Sequence, residues 1–304
     1  MRYFDLHCDT LYKVLTESRD FTDPRLHITF SDPLQFEAWT QCFAIWIPDD
    51  ISLQQSWQLF TRSAELFKNK LPRFGFGLNN HNSKHNALFC VEGGRIIGND
   101  IDKISQLVTY GVKMLTLTWN GDNAIACGAL TTCDTGLTSF GRQVIRELEL
   151  NNIIVDVSHL SDNSFFDVAA QAHRPFIASH SNSRSVCSNK RNLTDEQFDI
   201  IKNNNGLVGL NFHGKFLRSD GSASIDDIIT HCEHFLSLGG ENTVAIGSDF
   251  DGADMPHDIS GISAIPQIYE QFLKLNYSET LLDKLFYHNA ANFYETFDNR
   301  DVLL

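Results

Sequence analysis

Apolar residues recur in eight short runs, Tyr3–Leu6, Cys42–Ile47, Ala87–Val91, Lys113–Leu117, Ile153–Val157, Phe176–Ser179, Leu207–Asn211 and Val244–Gly247. Most are too short for helices and are rich in Val, Ile and Phe, the pattern of buried parallel strands. Amphipathic stretches lie between them. Ser52–Lys70 places Leu53, Trp57, Phe60, Ala64 and Phe67 at helical spacing, and Ser139–Asn151 opens with Ser139 as a helix N-cap. Thr194-Asp195-Glu196-Gln197 reads as a capping sequence ahead of Phe198, and Ile225–Leu238 and Glu279–Phe286 also read as helices. Strands alternating with helices imply right-handed βαβ units and a parallel sheet. Eight such strands predict a TIM-like (β/α)8 barrel. No linker or repeat divides the chain, so a single domain over residues 1–304 is expected. A doubly wound open sheet is the rival. It wants a glycine-rich phosphate turn after its first strand, and His7-Cys8-Asp9-Thr10 is no such turn.

The residues that follow these runs carry the chemistry. His7 and Asp9 follow the first, Glu92 the third, His159 the fifth, His180 the sixth and Asp249 the eighth. In a (β/α)8 barrel these positions ring the mouth at the C-terminal ends of the strands, where active sites of that fold lie. Three histidines with Asp and Glu form a nitrogen and oxygen set suited to Zn²⁺ or a similar divalent ion. Five ligands exceed the needs of one tetrahedral ion with an open position, and a carboxylate bridging two ions would use the surplus. Taken singly, each residue has a plainer structural reading. His7 could end a strand, Glu92 could begin a helix, and Asp249 and Asp251 could form a turn around Gly252. Their shared strand-end register is what distinguishes them. His27, His81, His85, His173, His231 and His234 lack that register and read as loop or helix residues, whereas His213 follows the seventh run and reads as a pocket residue. Residues two apart on a strand share a face, so His7 and Asp9 can converge while Cys8 turns away to pack. By the same parity Asp156 is expected on the face opposite His159 and is assigned no role.

Charge and cysteine usage narrow the setting. A net charge of −14 argues against a nucleic-acid or anionic-membrane partner. No apolar run reaches the length of a spanning helix, and the N-terminus lacks the apolar core of a signal peptide. Seven cysteines, at 8, 42, 90, 127, 133, 187 and 232, form no CxxC pair and are expected to be reduced and mostly buried. A cytoplasmic location is expected.

Seven ordered motifs, HxD at His7, VEGG, LTLTWN, DVSHLS, SHSNSR, RNLTDEQ and GSDFDG, resemble the renal (membrane) dipeptidase family of zinc metallopeptidases over most of the chain. The resemblance implies a barrel with two Zn²⁺ ions and hydrolysis of dipeptides, L,D-dipeptides included, by a hydroxide bridging the ions. It places His7 and Asp9 on one zinc, His159 and His180 on the other, and Glu92 between them. Arg191 matches the arginine that holds the substrate's C-terminal carboxylate, a role suited to a bidentate guanidinium. Asp249 matches the acidic residue that moves protons during the reaction. A homodimer is implied as well.

The sequence departs from that family at two places. Mammalian members carry a histidine where Trp119 stands, and an indole can donate one hydrogen bond but cannot be a cationic donor. Trp119 and Asn120 are therefore expected to contact the substrate, with the oxyanion held either by the zinc ions alone or with help from Asn120 or Asn123. The stretch Trp119–Asp134 reads as a long loop over the mouth. Mammalian members also carry a signal peptide and a lipid anchor, which are not evident here. Two rivals remain: another di-metal amidohydrolase-type hydrolase, and a non-catalytic ligand-binding barrel. Amidohydrolases usually begin with HxH and bridge their metals with a lysine on the fourth strand. Here Lys113 begins that strand, at the wrong end for the mouth.

Overall fold

The structure, a computed structural model, describes residues 1–31, 36–80, 83–132 and 134–299. His81 and Cys133 lie outside the described residues. Among the described residues eight strands are present: β1 (Arg2–Cys8), β2 (Ala38–Trp46), β3 (Gly77–Leu78), β4 (His85–Glu92), β5 (Val112–Thr116), β6 (Ile154–Asp156), β7 (Val208–Leu210) and β8 (Val244–Ile246). They form one parallel sheet in the order β6-β5-β4-β2-β1-β8-β7, with β3 added beside β4. Helices connect most successive strands, which gives an α/β fold.

Seven of the eight expected strands form. The run Phe176–Ser179 contributes only isolated bridges, Ile177 to Asp156 on one side and Ala178 to Val208 on the other. Its last amide is diverted from the ladder, because Ser179 N donates to the Asp156 carboxylate at 2.9 Å. A hydrogen-bonded path nevertheless runs from Val155 and Val157 through Ile177 to Leu207 and Gly209. Two glycines permit this approach. A Cβ at Gly209 would lie 1.9 Å, and one at Gly247 1.8 Å, from the Ser179 carbonyl oxygen. His85 corrects its expected place, since it opens β4 rather than lying in a loop or helix.

Alternate strand residues divide between two buried clusters, as the two-residue period of a strand requires. Phe4, Leu6, Cys42, Ala44, Leu88, Cys90, Met114, Ile154 and Ile177 gather on one face, capped by Phe293, Tyr294 and Phe297 of the helix Asn289–Asn299. Tyr3, Phe43, Ile45, Phe89, Val91 and Val155 face the surrounding helices. The β1 register shifts between Asp5 and Cys8. That irregularity reverses the parity, so Cys8 joins the helix-facing cluster and His7 and Asp9 turn to the other side.

The expected helices are present with local corrections. Leu53–Lys70 starts at a Ser52/Gln55 capping box and Asp195–Asn203 at a Thr194/Gln197 box. The N-cap of Ser139–Leu150 is Thr138, not Ser139, because its side chain accepts from Gly141 N at 2.8 Å. Glu279–Asp283 passes into a π-helical turn, Lys284–His288, packed against β1 and β8. Thr194→Ala removes both the hydroxyl acceptor and half of the capping box. It is expected to cost about 1 kcal/mol in chemical denaturation. An unchanged midpoint would show that the cap adds nothing. Among the described residues no helix is long and apolar enough to cross a membrane.

Candidate metal centre

The strand ends bring His7, Asp9, Glu92, His159, His180 and Asp249 together. Backbone bonds lock the first and last of these segments side by side. Asp249 N donates to His7 O at 3.2 Å and Asp9 N to Phe250 O at 2.8 Å. His7, Glu92 and His180 form one group of mutually close ligand atoms, and His7, Asp9 and Asp249 form a second. His159 lies against Glu92 and His180 of the first group. Its Nε2 lies 2.8 Å from Glu92 Oε1 and 2.9 Å from His180 Nε2, and His180 Nε2 lies 3.6 Å from the same oxygen. Glu92 Oε2 reaches the other way, 3.7 Å from His7 Nε2, which is 3.3 Å from Asp9 Oδ2. One carboxylate thus spans both halves of the cluster.

Two of the six residues sit on strained backbone. His159 has φ of 71° and Asp249 of 62°, left-handed values uncommon outside glycine that cost about 1–3 kcal/mol each. Asp and His enter this region more readily than most residues, but neither type by itself fixes it in the sequence. The parity expectation for Asp156 accordingly fails. Its side chain does not stand opposite the site but lies beneath His180, bonded to Ser179 Oγ at 2.6 Å.

All six side chains are buried, and burial sets their electrostatics. His7 is pushed up to about 10: desolvation opposes its charge, but Glu92, Asp9 and Asp249 outweigh that penalty. Burial, reinforced by Asp9, raises Glu92 well above the usual carboxylate range. Burial pushes Asp249 up to about 7, with Asp9 adding to the effect and His7, Asn211 and Arg191 opposing it. His159 and His180 are driven well below the usual histidine range, first by burial and then by nearby positive groups. Three acidic groups and two neutral imidazoles therefore face one another in a buried cluster, a donor set fitted to divalent cations. Asp9 Oδ1 and His7 Nδ1 are buried without a hydrogen-bond partner among the described residues.

The centre opens into a cavity of about 430 Å³, lined in part by Asp9, Glu92, His159, Asp249, Trp119 and Asn120. Tyr12, Trp46, His213 and Phe216 also line it. His213 matches the expectation for the seventh strand end, Trp46 lies in the apolar run Cys42–Ile47, and Tyr12 and Phe216 carry no signal in the sequence. Trp46 meets Trp119 with ring centroids 4.8 Å apart and Tyr12 at the same separation, an aromatic wall on one side. Asn120 Oδ1 is 3.1 Å from His159 Nδ1, so this residue touches a candidate ligand as well as the cavity. Asn123 is engaged within its own loop, donating to Leu117 O at 2.8 Å and accepting from Ile125 N at 2.8 Å. The stretch from Trp119 forms no helix or strand up to residue 132.

Arg191 is buried, and its guanidinium lies 5.3 Å from the centre of the Phe216 ring. Its Nε and Nη2 have no hydrogen-bond partner among the described residues. Burial lowers it to about 10, although Glu92 and Asp249 oppose the shift. A buried cation with two free donors calls for an anion. Lys113 pairs with Asp298 at 3.1 Å, away from the mouth, as its place at the start of β5 requires. His27, set aside in the sequence, holds Asp251 instead: its backbone N donates to Asp251 Oδ1 at 2.8 Å and its Nδ1 accepts from Asp251 N at 2.8 Å.

Comparison with known proteins adds independent findings. The family model described as membrane dipeptidase (peptidase family M19) matches residues 1–299. A Klebsiella pneumoniae protein, described as an uncharacterized protein in the pqqA 5′ region, is 34% identical over 209 residues, covering 66% of this chain and 77% of that protein. An uncharacterized dipeptidase of Schizosaccharomyces pombe is 32% identical over 195 residues, 62% of this chain. The match spans about half of the yeast protein, 47% of its length. A Rhodobacter sphaeroides metallopeptidase, solved with a phosphinate mimic of the dipeptide L-Ala-D-Ala, superposes with a TM-score of 0.87 at 26% identity, over 97% of this chain and 99% of that one.

Proposed function

This chain belongs to the membrane dipeptidase family, peptidase family M19, and from that premise we propose that it is a di-zinc dipeptidase whose substrates include L,D-dipeptides. The observation that carries the reading is the meeting of His159 Nε2, His180 Nε2 and Glu92 Oε1 within 3.6 Å of one another, three electron-pair donors that a cation would reconcile. The sheet supports the closed (β/α)8 barrel of this reading, because the bridges at Ile177 and Ala178 join its two end strands. His159, His180 and Glu92 would hold one ion, and His7, Asp9 and Glu92 the other. When bound, the two ions supply a water acidified to near-neutral pKa and a polarised peptide carbonyl.

The chain's own residues do the rest. Arg191 binds the C-terminal carboxylate of the dipeptide through its free donors, fixing the register of the peptide bond. Asp249, at the cavity wall and close to His7, takes a proton during attack and returns it to the departing amine. The aromatic side chains of Tyr12, Trp46 and Trp119 shield the opposite wall from water, where the family histidine is replaced. The phosphinate mimic held by the Rhodobacter protein supports L-Ala-D-Ala as a first substrate to try.

The test is a panel of L,L- and L,D-dipeptides on metal-reconstituted protein. Turnover that requires Zn²⁺ and a free C-terminal carboxylate is expected, and C-terminal amides should be poor substrates. A protein that holds no divalent metal and gains no activity on adding Zn²⁺ would overturn the reading. Metal without turnover of any dipeptide would favour another di-metal hydrolase.

A further inference from the structure

Asp156 is a fully buried carboxylate that the mechanism above does not use. It accepts four hydrogen bonds: Thr116 Oγ1 and Ser179 Oγ at 2.6 Å each on Oδ2, Ser179 N at 2.9 Å and Ser158 N at 3.0 Å on Oδ1. Ser179 Oγ in turn lies 2.7 Å from His180 Nδ1. A hydroxyl has one proton, and an ionised carboxylate can only accept. The Ser179 proton therefore goes to Asp156, whose 2.6 Å distance is that of a charge-assisted bond. The remaining lone pair of Ser179 faces the imidazole, so His180 Nδ1 must carry the hydrogen.

We infer that Asp156 and Ser179 are positioning residues that hold His180 in its Nδ1–H tautomer, leaving the Nε2 lone pair aimed at Glu92 and His159. The inference rests on the metallopeptidase reading for its purpose but not for its geometry. A second clamp of the same design supports it. Asp5, also fully buried, accepts from His7 N at 3.2 Å, Ser248 N at 2.9 Å, Ser248 Oγ at 2.6 Å and Tyr3 Oη at 3.1 Å. Each carboxylate thus grips the backbone amide and the hydroxyl of a serine on a neighbouring segment, and each serine directly precedes a residue of the centre, His180 or Asp249. Only the Asp156 clamp touches the ring of a candidate ligand. An acceptor on the outer nitrogen also raises the basicity of a metal-binding imidazole.

The test uses the full chain with nitrogen-15-labelled histidine, first metal-free and then titrated with Zn²⁺ against a competing chelator. Metal-free wild type should show His180 as the Nδ1–H tautomer. Ser179→Ala should abolish that signature and weaken Zn²⁺ binding by about 10–100-fold. Thr116→Val removes a different donor from the same carboxylate and serves as the structural control, expected to change neither readout. An Nε2–H tautomer in wild type overturns the inference, whatever Ser179→Ala does to folding. Unweakened Zn²⁺ binding by folded Ser179→Ala, or an equal loss in Thr116→Val, also overturns it. A wild type that shows the Nδ1–H tautomer but binds no Zn²⁺ would sink the metallopeptidase reading and leave the clamp standing.

Discussion

Glu92→Gln should yield a folded protein that retains no divalent metal after dialysis and hydrolyses no dipeptide above background. The carboxylate reaches both halves of the cluster, with Oε1 2.8 Å from His159 Nε2 and Oε2 3.7 Å from His7 Nε2. Glutamine keeps its size but offers one acceptor in place of two, and its amide nitrogen presents hydrogens where a cation would bind. The metal-free fold should tolerate the change. Glu92 is buried beside Asp9 and Asp249, and these surroundings already push its carboxyl toward the neutral form. Removing its charge relieves repulsion, so the melting temperature of metal-free Glu92→Gln should equal or exceed that of metal-free wild type. Zn²⁺ at a thousandfold excess over its Kd should stabilise wild type by about 4 kcal/mol, a gain the variant should lack. Elemental analysis and thermal melts with and without Zn²⁺ provide the check. Wild-type metal content in the variant would remove Glu92 from the centre.

Much of the site was legible because a parallel sheet writes its ends into the sequence. Buried strands read as apolar runs, and a chemistry-bearing residue one or two positions past each run has to leave the core at the same edge. That rule located His7, Glu92, His159, His180 and Asp249 without any knowledge of which strands are neighbours. The supporting residues were not legible in the same way. Asp5 and Asp156 interrupt apolar runs, and their only signal was the cost of an unpaired buried charge, which demands donors that the sequence does not identify. Those donors come from distant segments, Ser248 for Asp5 and Ser179 for Asp156. Strand parity succeeded at His7 and Asp9, where the register shift in β1 turns both inward, and failed at Asp156 and His159, where a left-handed residue follows the strand. Tyr12 gives no signal in the sequence, and Trp46 lies in an apolar run where an aromatic residue usually packs in the core. Only the fold shows that they stand at the mouth with Trp119.

The assignment of Asp249 makes the opposite demand from that of Glu92: metal must stay while turnover goes. Asp249→Asn should lower kcat by roughly 10²–10⁴, the usual contribution of a positioned acid–base group, and change KM little. The substitution suits the site. Asparagine tolerates the left-handed backbone at φ 62° better than most residues, and its side-chain oxygen can still accept from Asn211 Nδ2, now 3.0 Å from Asp249 Oδ2. What it loses is the capacity to take up a proton. Burial already holds this carboxyl up to about 7, near the range where a group can both accept and return a proton in one cycle. A working base must be deprotonated, so wild-type kcat/KM should fall as the pH drops through the pKa of Asp249, and the variant should lose that limb. The geometry also supplies a competing outcome, because Asp249 shares a close ligand-atom group with His7 and Asp9. If Asp249→Asn loses one of two metal equivalents, the carboxylate is a ligand rather than the proton carrier. Full metal with wild-type kcat would exclude both roles. Full metal with a collapsed kcat and a flattened acid limb is the pattern that only proton transfer by this residue explains.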